Sequence, residues 1–215
     1  MVSTVAVHSH SPRTERRRAA GFSLVELMIV CAIVVIMVTV AIIKIKPIVN
    51  NAKADTAVDY VMNQMRQAHE RAADERRVYQ IQFTLPGNII LLQGNTGANG
   101  VIGYNQISSI ALPNDMSFQL PNPLPASSPD GFGNGANAID FTITGGAGGG
   151  TTIYFQPDGT VDDNVGGLTN GVIYMARNND PTSFRAVSLF GGTGRVKAWK
   201  VIPPVGGGAG KWILE

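Results

Sequence analysis

The chain has 215 residues, of which 44% are hydrophobic and 15% are charged. This composition is typical of one folded domain plus an appendage, and it excludes a largely disordered protein. Its 25 Gly and 12 Pro indicate many turns, and hence β-structure outside the helical parts. The single cysteine, Cys31, excludes an intrachain disulfide and a cysteine-based metal site. We predict no cofactor and no metal.

The net charge of +2 is unevenly distributed. The first 21 residues hold four arginines against one glutamate. Residues 86–176 contain aspartates but no Lys or Arg, whereas five basic residues after Pro181 face only Glu215. The chain therefore ends in a basic segment behind an acidic middle.

An apolar run extends from Phe22 to Ile43. As a helix it would span roughly 33 Å, enough to cross a hydrocarbon core. The arginines precede the run, which predicts a cytoplasmic N-terminus and an exported remainder. A small-residue step, Ala19-Ala20-Gly21, lies before the run, and no Ala-x-Ala pattern follows it. This order predicts that a short basic leader is removed and the helix is kept.

One carboxylate, Glu26, lies inside the apolar run. A charged side chain in a spanning helix costs about 2.5–3.5 kcal/mol by insertion scales, and such residues are usually functional. One interpretation places Glu26 near the headgroups, where it snorkels. The other pairs it with a desolvated cation, since cleavage after Gly21 would create a new amine at Phe22.

The segment "GFSLVELMIV" resembles the prepilin signature of type IV pilins and type II secretion pseudopilins. The resemblance implies that a prepilin peptidase cuts between Gly21 and Phe22 and methylates Phe22. It also implies that Glu26 is an assembly contact that registers each subunit against other pilins or pseudopilins.

The helix is predicted to continue to about residue 77. Its second half has apolar residues at spacings of three and four, which indicates a core-facing helix. These residues are Ala54, Val58, Val61, Met65, Ala68 and Ala72. We expect Pro47 to kink or loosen the helix and His69 to be a solvated helix residue.

Alternating apolar residues at Tyr79–Leu85, a turn at Pro86-Gly87-Asn88 and a return strand at Ile89–Leu92 predict a hairpin. Further predicted strands are Ile139–Thr144, Thr152–Phe155, Gly171–Ala176, Phe184–Phe190 and Arg195–Ile202. Surface loops are expected at 94–100, 121–137, 145–150 and 203–210. The predicted fold class is α+β and type IV pilin-like. Residues 1–21 form a cleaved leader, residues 22–77 a long helix (22–44 transmembrane), and residues 78–215 a β-rich periplasmic domain.

The C-terminal half is similar to the GspH/FimT group of minor pseudopilins and pilins. The matching features are a Phe-x-Pro-x-Gly turn at Phe155, Pro157 and Gly159, and a last strand that opens with Gly194-Arg195-Val196. In FimT-like pilins a Gly-Arg-x-Arg motif near the C-terminus contributes to DNA binding. Here Lys197 stands at the fourth position, so the match is partial.

The basic strand, Arg195–Ile202, therefore has two interpretations. Alternation places Arg195 and Lys197 on one face, with Val196 and Ala198 on the other. Together with Lys200 they could contact phosphates in a salt-sensitive way. The alternative is an edge strand with solvated lysines, in which Trp199 packs against the sheet.

Other candidate sites are poorly supported. Asp158, Asp162, Asp163 and Asn164 do not have EF-hand spacing, and Asp158-Gly159 is a common hairpin turn. The glycines at 145–150 lack the Lys-Ser/Thr of a phosphate loop. No nucleophile elbow with a His partner is present, so we predict no enzyme.

The sequence thus predicts a structural minor subunit, single-pass in the bacterial inner membrane, that assembles into a periplasmic filament. Two systems remain open: a type II secretion pseudopilus that supports protein secretion, and a type IV pilus, in which a FimT-like subunit could bind DNA during uptake. A third possibility is a signal-anchored periplasmic binding domain that never assembles. Retention of the basic leader would favour that third possibility.

Overall fold

A computed structural model describes residues 21–96, 102–113, 115–143, 149–178, 180–202 and 210–215. Apart from Gly21, the predicted leader lies outside the described residues. The chain divides into two compact units, Met1–Lys44 and Ile45–Glu215.

Helix α1 comprises Leu24–Glu75 and is continuous through Pro47. Among the described residues, one helical segment, Leu24–Ile42, is long and apolar enough to cross a membrane. All of its side chains are exposed. Aliphatic side chains in such a run lack any protein to pack against, so they require an apolar surrounding such as lipid.

The second half of α1 has a different environment, because its apolar face is buried in protein. All six predicted core positions are buried, which confirms the helical periodicity, and Ala57 and Met62 join them. The spacing of these residues places them on one side of the helix, where successive turns bring them into line.

In the part of the chain that the structure describes, the β-structure consists of eleven antiparallel strands in two sheets. Their bounds are β1 Tyr79–Thr84, β2 Asn88–Thr96, β3 Ile102–Ala111, β4 Ser117–Phe118, β5 Ile139–Phe141, β6 Thr152–Phe155, β7 Val161–Asp162, β8 Gly171–Ala176, β9 Arg185–Phe190, β10 Arg195–Ile202 and β11 Lys211–Leu214. The first sheet has the order β3-β2-β1-β6-β7, and the second has the order β11-β10-β9-β8-β4. Strand β5 also pairs with β8, next to β4. The α+β prediction is confirmed.

The main core joins α1 to the inner faces of both sheets. Apolar residues at every second position supply it, as for Tyr79, Ile81 and Phe83 of β1. In β8, Ile173 and Met175 belong to the same cluster. This pattern reflects the alternation of strand side chains between faces.

A second, smaller core lies on the opposite face of the second sheet. Val172 and Tyr174 of β8 pack there with Ala186 and Trp212, and Leu124 lies against them. Strands β8 and β9 are therefore buried on both faces. Segment 121–137 is not only a surface loop as predicted, because Pro121, Pro125 and Pro129 within it are buried. A buried carboxylate fixes this segment: Asp140 accepts hydrogen bonds from the backbone of Asn134 (2.6 Å) and Gly149 (2.7 Å).

The predicted hairpin and the predicted strands at Thr152–Phe155, Gly171–Ala176, Phe184–Phe190 and Arg195–Ile202 are confirmed to within a few residues, and the other predictions differ. Strand β2 extends to Thr96, so the loop predicted from residue 94 starts too early. Strand β3 was missed, since most of its residues are exposed and no alternation marks it. The short β11 follows a glycine-rich stretch and was missed too. The strand predicted to begin at Ile139 ends at Phe141.

Buried polar contacts hold the start of the second unit's helix against the second sheet. The Arg185 side chain is only 4% exposed. Its Nε and Nη2 donate to Asp55 Oδ1 at 2.8 and 2.7 Å. Its Nη1 donates to the carbonyl oxygens of Thr182 and Phe184. Asn50 adds bonds of 3.0 Å to Asp180 and Arg177. These contacts fix the position of the helix, which apolar packing alone leaves free to slide.

The expectation of a solvated His69 is wrong. Its Nε2 lies 3.2 Å from the carbonyl oxygen of Gly159, and its ring packs edge-on against Phe155. Gly194 has a left-handed φ of +64°, and a Cβ there would lie 2.6 Å from the His69 ring. The helix thus contacts two tight turns at this point.

We predict that Arg185→Met lowers the free energy of unfolding of the Ile45–Glu215 domain by about 2–3 kcal/mol, because the buried guanidinium no longer donates to the carbonyls of Thr182 and Phe184 or to the half-exposed Asp55 carboxylate. Urea denaturation measures this. Arg195→Met is the matched control, since Arg195 is exposed, and it should cost less than about 1 kcal/mol. Equal losses in both variants would contradict the role assigned to Arg185.

Candidate assembly motif and basic strand

The predicted cleavage position lies just before α1. Gly21 and Phe22 are non-helical and exposed, and no heavy atom comes within 4 Å of a Cβ placed on Gly21. The first helical hydrogen bond of this end runs from Leu27 N to Ser23 O, at 3.1 Å. The backbone at Gly21–Phe22 is thus exposed and lies outside the helix.

Glu26 lies in the first turn of α1, one turn after Phe22, and is exposed. A carboxylate is favoured at this end of a helix, since the unpaired backbone N–H groups give it a partial positive charge. Within the described residues Glu26 forms no ion pair or hydrogen bond.

Strand β10 carries the three predicted DNA-binding residues on two faces. Val196 and Ala198 pack against the main core, whereas Trp199 packs against the second core. Arg195 and Lys197 therefore share one face, as predicted. Lys200 lies on the other face, so the structure does not bring the three cations together.

Lys197 is already paired within the chain. Its Nζ lies 2.6 Å from Asp130 Oδ1, and the other oxygen of that carboxylate accepts a bond from Ser188 (2.7 Å). Partial burial works to raise the pKa of Asp130, but the hydrogen bonds from Lys197 and Ser188 outweigh it, so the pKa is lowered. The Asp130 carboxylate is therefore ionised at neutral pH. This ion pair could not be predicted from the sequence because Asp130 lies 67 residues before Lys197.

The two other cations differ in their surroundings. Arg195 is exposed, and its guanidinium carbon lies 5.8 Å from the centre of the Phe190 ring. Lys200 lines a cleft together with Asp55 and Arg185. Trp199 donates from Nε1 to Ser188 (2.9 Å), which confirms that it packs on the sheet.

The aspartates after β6 have structural roles in their turns. Asp158 accepts bonds from the backbone and hydroxyl of Thr160, and Gly159 has φ of +86°, as a tight turn requires. Asp162 and Asp163 accept bonds from nearby backbone N–H groups. Among the described residues, no group of three or more His, Cys, Asp or Glu side chains could hold a metal ion.

In comparison with known proteins, residues 16–42 match a family model described as the prokaryotic N-terminal methylation motif. Searches of curated proteins and of solved structures gave no significant match. The motif implies processing by prepilin peptidase and assembly with other pilins, and α1 fits the single-pass membrane anchor typical of prepilins. These observations support a type IV prepilin-like protein.

Proposed function

We propose that this protein is a non-enzymatic filament subunit of the type IV pilus and type II secretion class. The observation that carries the proposal is the division of α1: an exposed apolar segment with a single carboxylate follows the cleavage motif, and a protein-packed segment succeeds it in the same helix. The first segment serves the membrane and then the filament. The second anchors a folded domain to it.

Glu26 is the proposed assembly contact. Cleavage after Gly21 leaves an amine on Phe22, one helical turn from the carboxylate. An unpaired carboxylate costs about 2.5–3.5 kcal/mol in a spanning helix, and pairing with the amine of a neighbouring subunit removes most of this cost. The charge therefore favours one register of subunits over the others, which uniform aliphatic packing cannot distinguish.

The proposed topology follows from the charges beside the apolar segment. The arginines before Gly21 stay in the cytoplasm, and the Ile45–Glu215 domain lies in the periplasm of a bacterial cell. The domain then leaves the inner membrane as the filament grows.

We further propose a place in the GspH/FimT group of minor subunits. The turn at Phe155, Pro157 and Gly159 and the strand opening at Gly194-Arg195-Val196 are the features that support it. In this structure both turns contact His69 of α1, so the residues that carry the resemblance also join the sheets to the helix. Such a subunit serves either a secretion pseudopilus or a type IV pilus.

We predict that Glu26→Val is cut by prepilin peptidase as efficiently as the natural chain but enters filaments at a small fraction of the normal level. Immunoblots of sheared filaments and of membranes measure both steps. Thr39→Val is the matched control: its hydroxyl donates to the Val35 carbonyl within the same helix (2.8 Å), so its loss leaves no partner unsatisfied. Normal incorporation of Glu26→Val would contradict the proposed contact.

DNA binding is a second candidate function, and the exposed Arg195 is the observation in its favour. Phosphate contacts by two or three cations would give affinity that falls steeply with salt. The Lys197–Asp130 pair and the separation of Lys200 from Arg195 both weaken such a site, because an ion-paired ammonium must first lose its carboxylate.

We expect the Ile45–Glu215 domain to show no salt-sensitive binding to double-stranded DNA that depends on Lys197. Fluorescence anisotropy at low and moderate salt measures this for the natural domain, Arg195→Ala and Lys197→Ala. Binding at low salt that both substitutions abolish would assign the chain to DNA uptake and overturn this expectation.

A further inference from the structure

Strand β3 forms one edge of the first sheet. It runs for ten residues and pairs with β2 along one side only. Within the described part of the chain, no strand pairs with its other side. A row of backbone N–H and C=O groups on such an edge is a template for a further strand.

The strands on this side of the first sheet carry no charged side chains. Between Arg77 and Asp115 the chain contains no Lys, Arg, His, Asp or Glu, and these residues include all of β1, β2 and β3. Proteins usually protect a free edge with charged side chains, lysine above all, because a second strand cannot then approach. Strand β3 has no such protection.

The strands at the other sheet edges in the described residues are short, carry a charge, or lie two to one side of a single neighbouring strand. Strand β7 has two residues, and the backbone N–H of its Val161 donates to Gly191. Strands β4 and β5 divide one side of β8 between them. Strand β11 has four residues and begins with Lys211. The chain protects these edges, and β3 is the exception.

The free edge is accessible and has a defined straight part. Gly103, Asn105 and Gln106 are exposed. The register with β2 shifts between Leu91 and Leu92, which leaves Ile107 as the extra residue of a bulge, 41% exposed. A bulge bends a strand and interrupts pairing. Regular pairing flanks the bulge at Ile102–Gln106 and Ser108–Ala111, and Ile102–Gln106 is the longer of the two stretches.

We propose that β3 pairs antiparallel with β3 of a second copy of this chain, which joins two five-stranded sheets into one. A two-fold axis at Tyr104, the middle of Ile102–Gln106, pairs Ile102 with Gln106 and Gly103 with Asn105, and places Tyr104 opposite its own copy. A charge at position 105 would then lie diagonally across the axis from the same charge of the other copy, so an uncharged strand favours self-pairing. The short stretch predicts weak pairing, with an affinity between about 1 μM and 1 mM. This pairing is independent of the proposed filament role.

The Ile45–Glu215 domain suffices for the test, because both hydrophobic cores lie within it. Sedimentation equilibrium over a concentration series should show a monomer–dimer equilibrium. Asn105→Lys should weaken the dimer about tenfold or more, since two ammonium groups then meet near the axis. Asn105→Asp should weaken it likewise. An equal mixture of the two variants should restore dimers, because the ammonium of one copy then lies diagonally across the axis from the carboxylate of the other.

Gln82→Lys is the control. Gln82 is exposed on β1, an interior strand of the same sheet, so its charge does not reach the edge. It should leave the dimer unchanged. A domain that stays monomeric to about 1 mM, or a dimer that Asn105→Lys and Gln82→Lys weaken equally, would overturn the proposal. So would a mixture of Asn105→Lys and Asn105→Asp that remains monomeric.

Discussion

The structure depends on helix α1, whose two halves require different environments. Over Leu24–Ile42 every side chain of α1 is exposed and nearly all are apolar, whereas from Ala54 onward only one face is apolar and that face is buried in protein. The first pattern is stable in lipid or among like helices, and the second is stable only against a folded domain. Burial of the Ala54–Ala72 face decides where the two sheets lie, since residues of both sheets join the same core. Apolar burial is worth about 25 cal/mol per Å², so this face contributes to the stability of the domain together with the sheet residues of the same core.

Apolar packing is not directional, so polar contacts fix the details. Arg185 connects the second sheet to Asp55 of α1, and Asn50 connects the same helix to Asp180 and Arg177. Glu215 Oε1 lies 3.8 Å from Arg185 Nε. Burial and the nearby Asp55 carboxylate raise the pKa of Glu215, and Arg185 opposes them. Charged and polar side chains thus fix the position of α1 relative to the second sheet. In the first sheet, residues 78–114 lack charge altogether, which is the basis for assigning that side to another chain.

Local patterns in the sequence predicted much of this fold. The alternation in Tyr79–Thr84 and the three-and-four spacing in α1 identify elements with one buried face, and both were confirmed. Strand β3 could not be found in this way, since its faces are mostly exposed and neither is selected for apolar residues. Long-range pairs were equally invisible: Arg185–Asp55 and Lys197–Asp130 join residues 130 and 67 positions apart. The sequence therefore suggested that the cations of strand β10 are free to bind a ligand, whereas in the structure Lys197 is paired with Asp130. In contrast, the N-terminal methylation motif is a contiguous stretch, so the sequence alone was sufficient to identify it.

The central claim is that the leader is removed before the apolar segment and that the segment itself is retained. Mass spectrometry of the N-terminal peptide, on protein extracted from membranes of cells that contain prepilin peptidase, tests this claim most directly. The account predicts a chain that begins at Phe22 with a methylated amine and still contains residues 22–43. A chain that begins at Met1, or one that begins after residue 43, would contradict it, because neither leaves an amine beside Glu26.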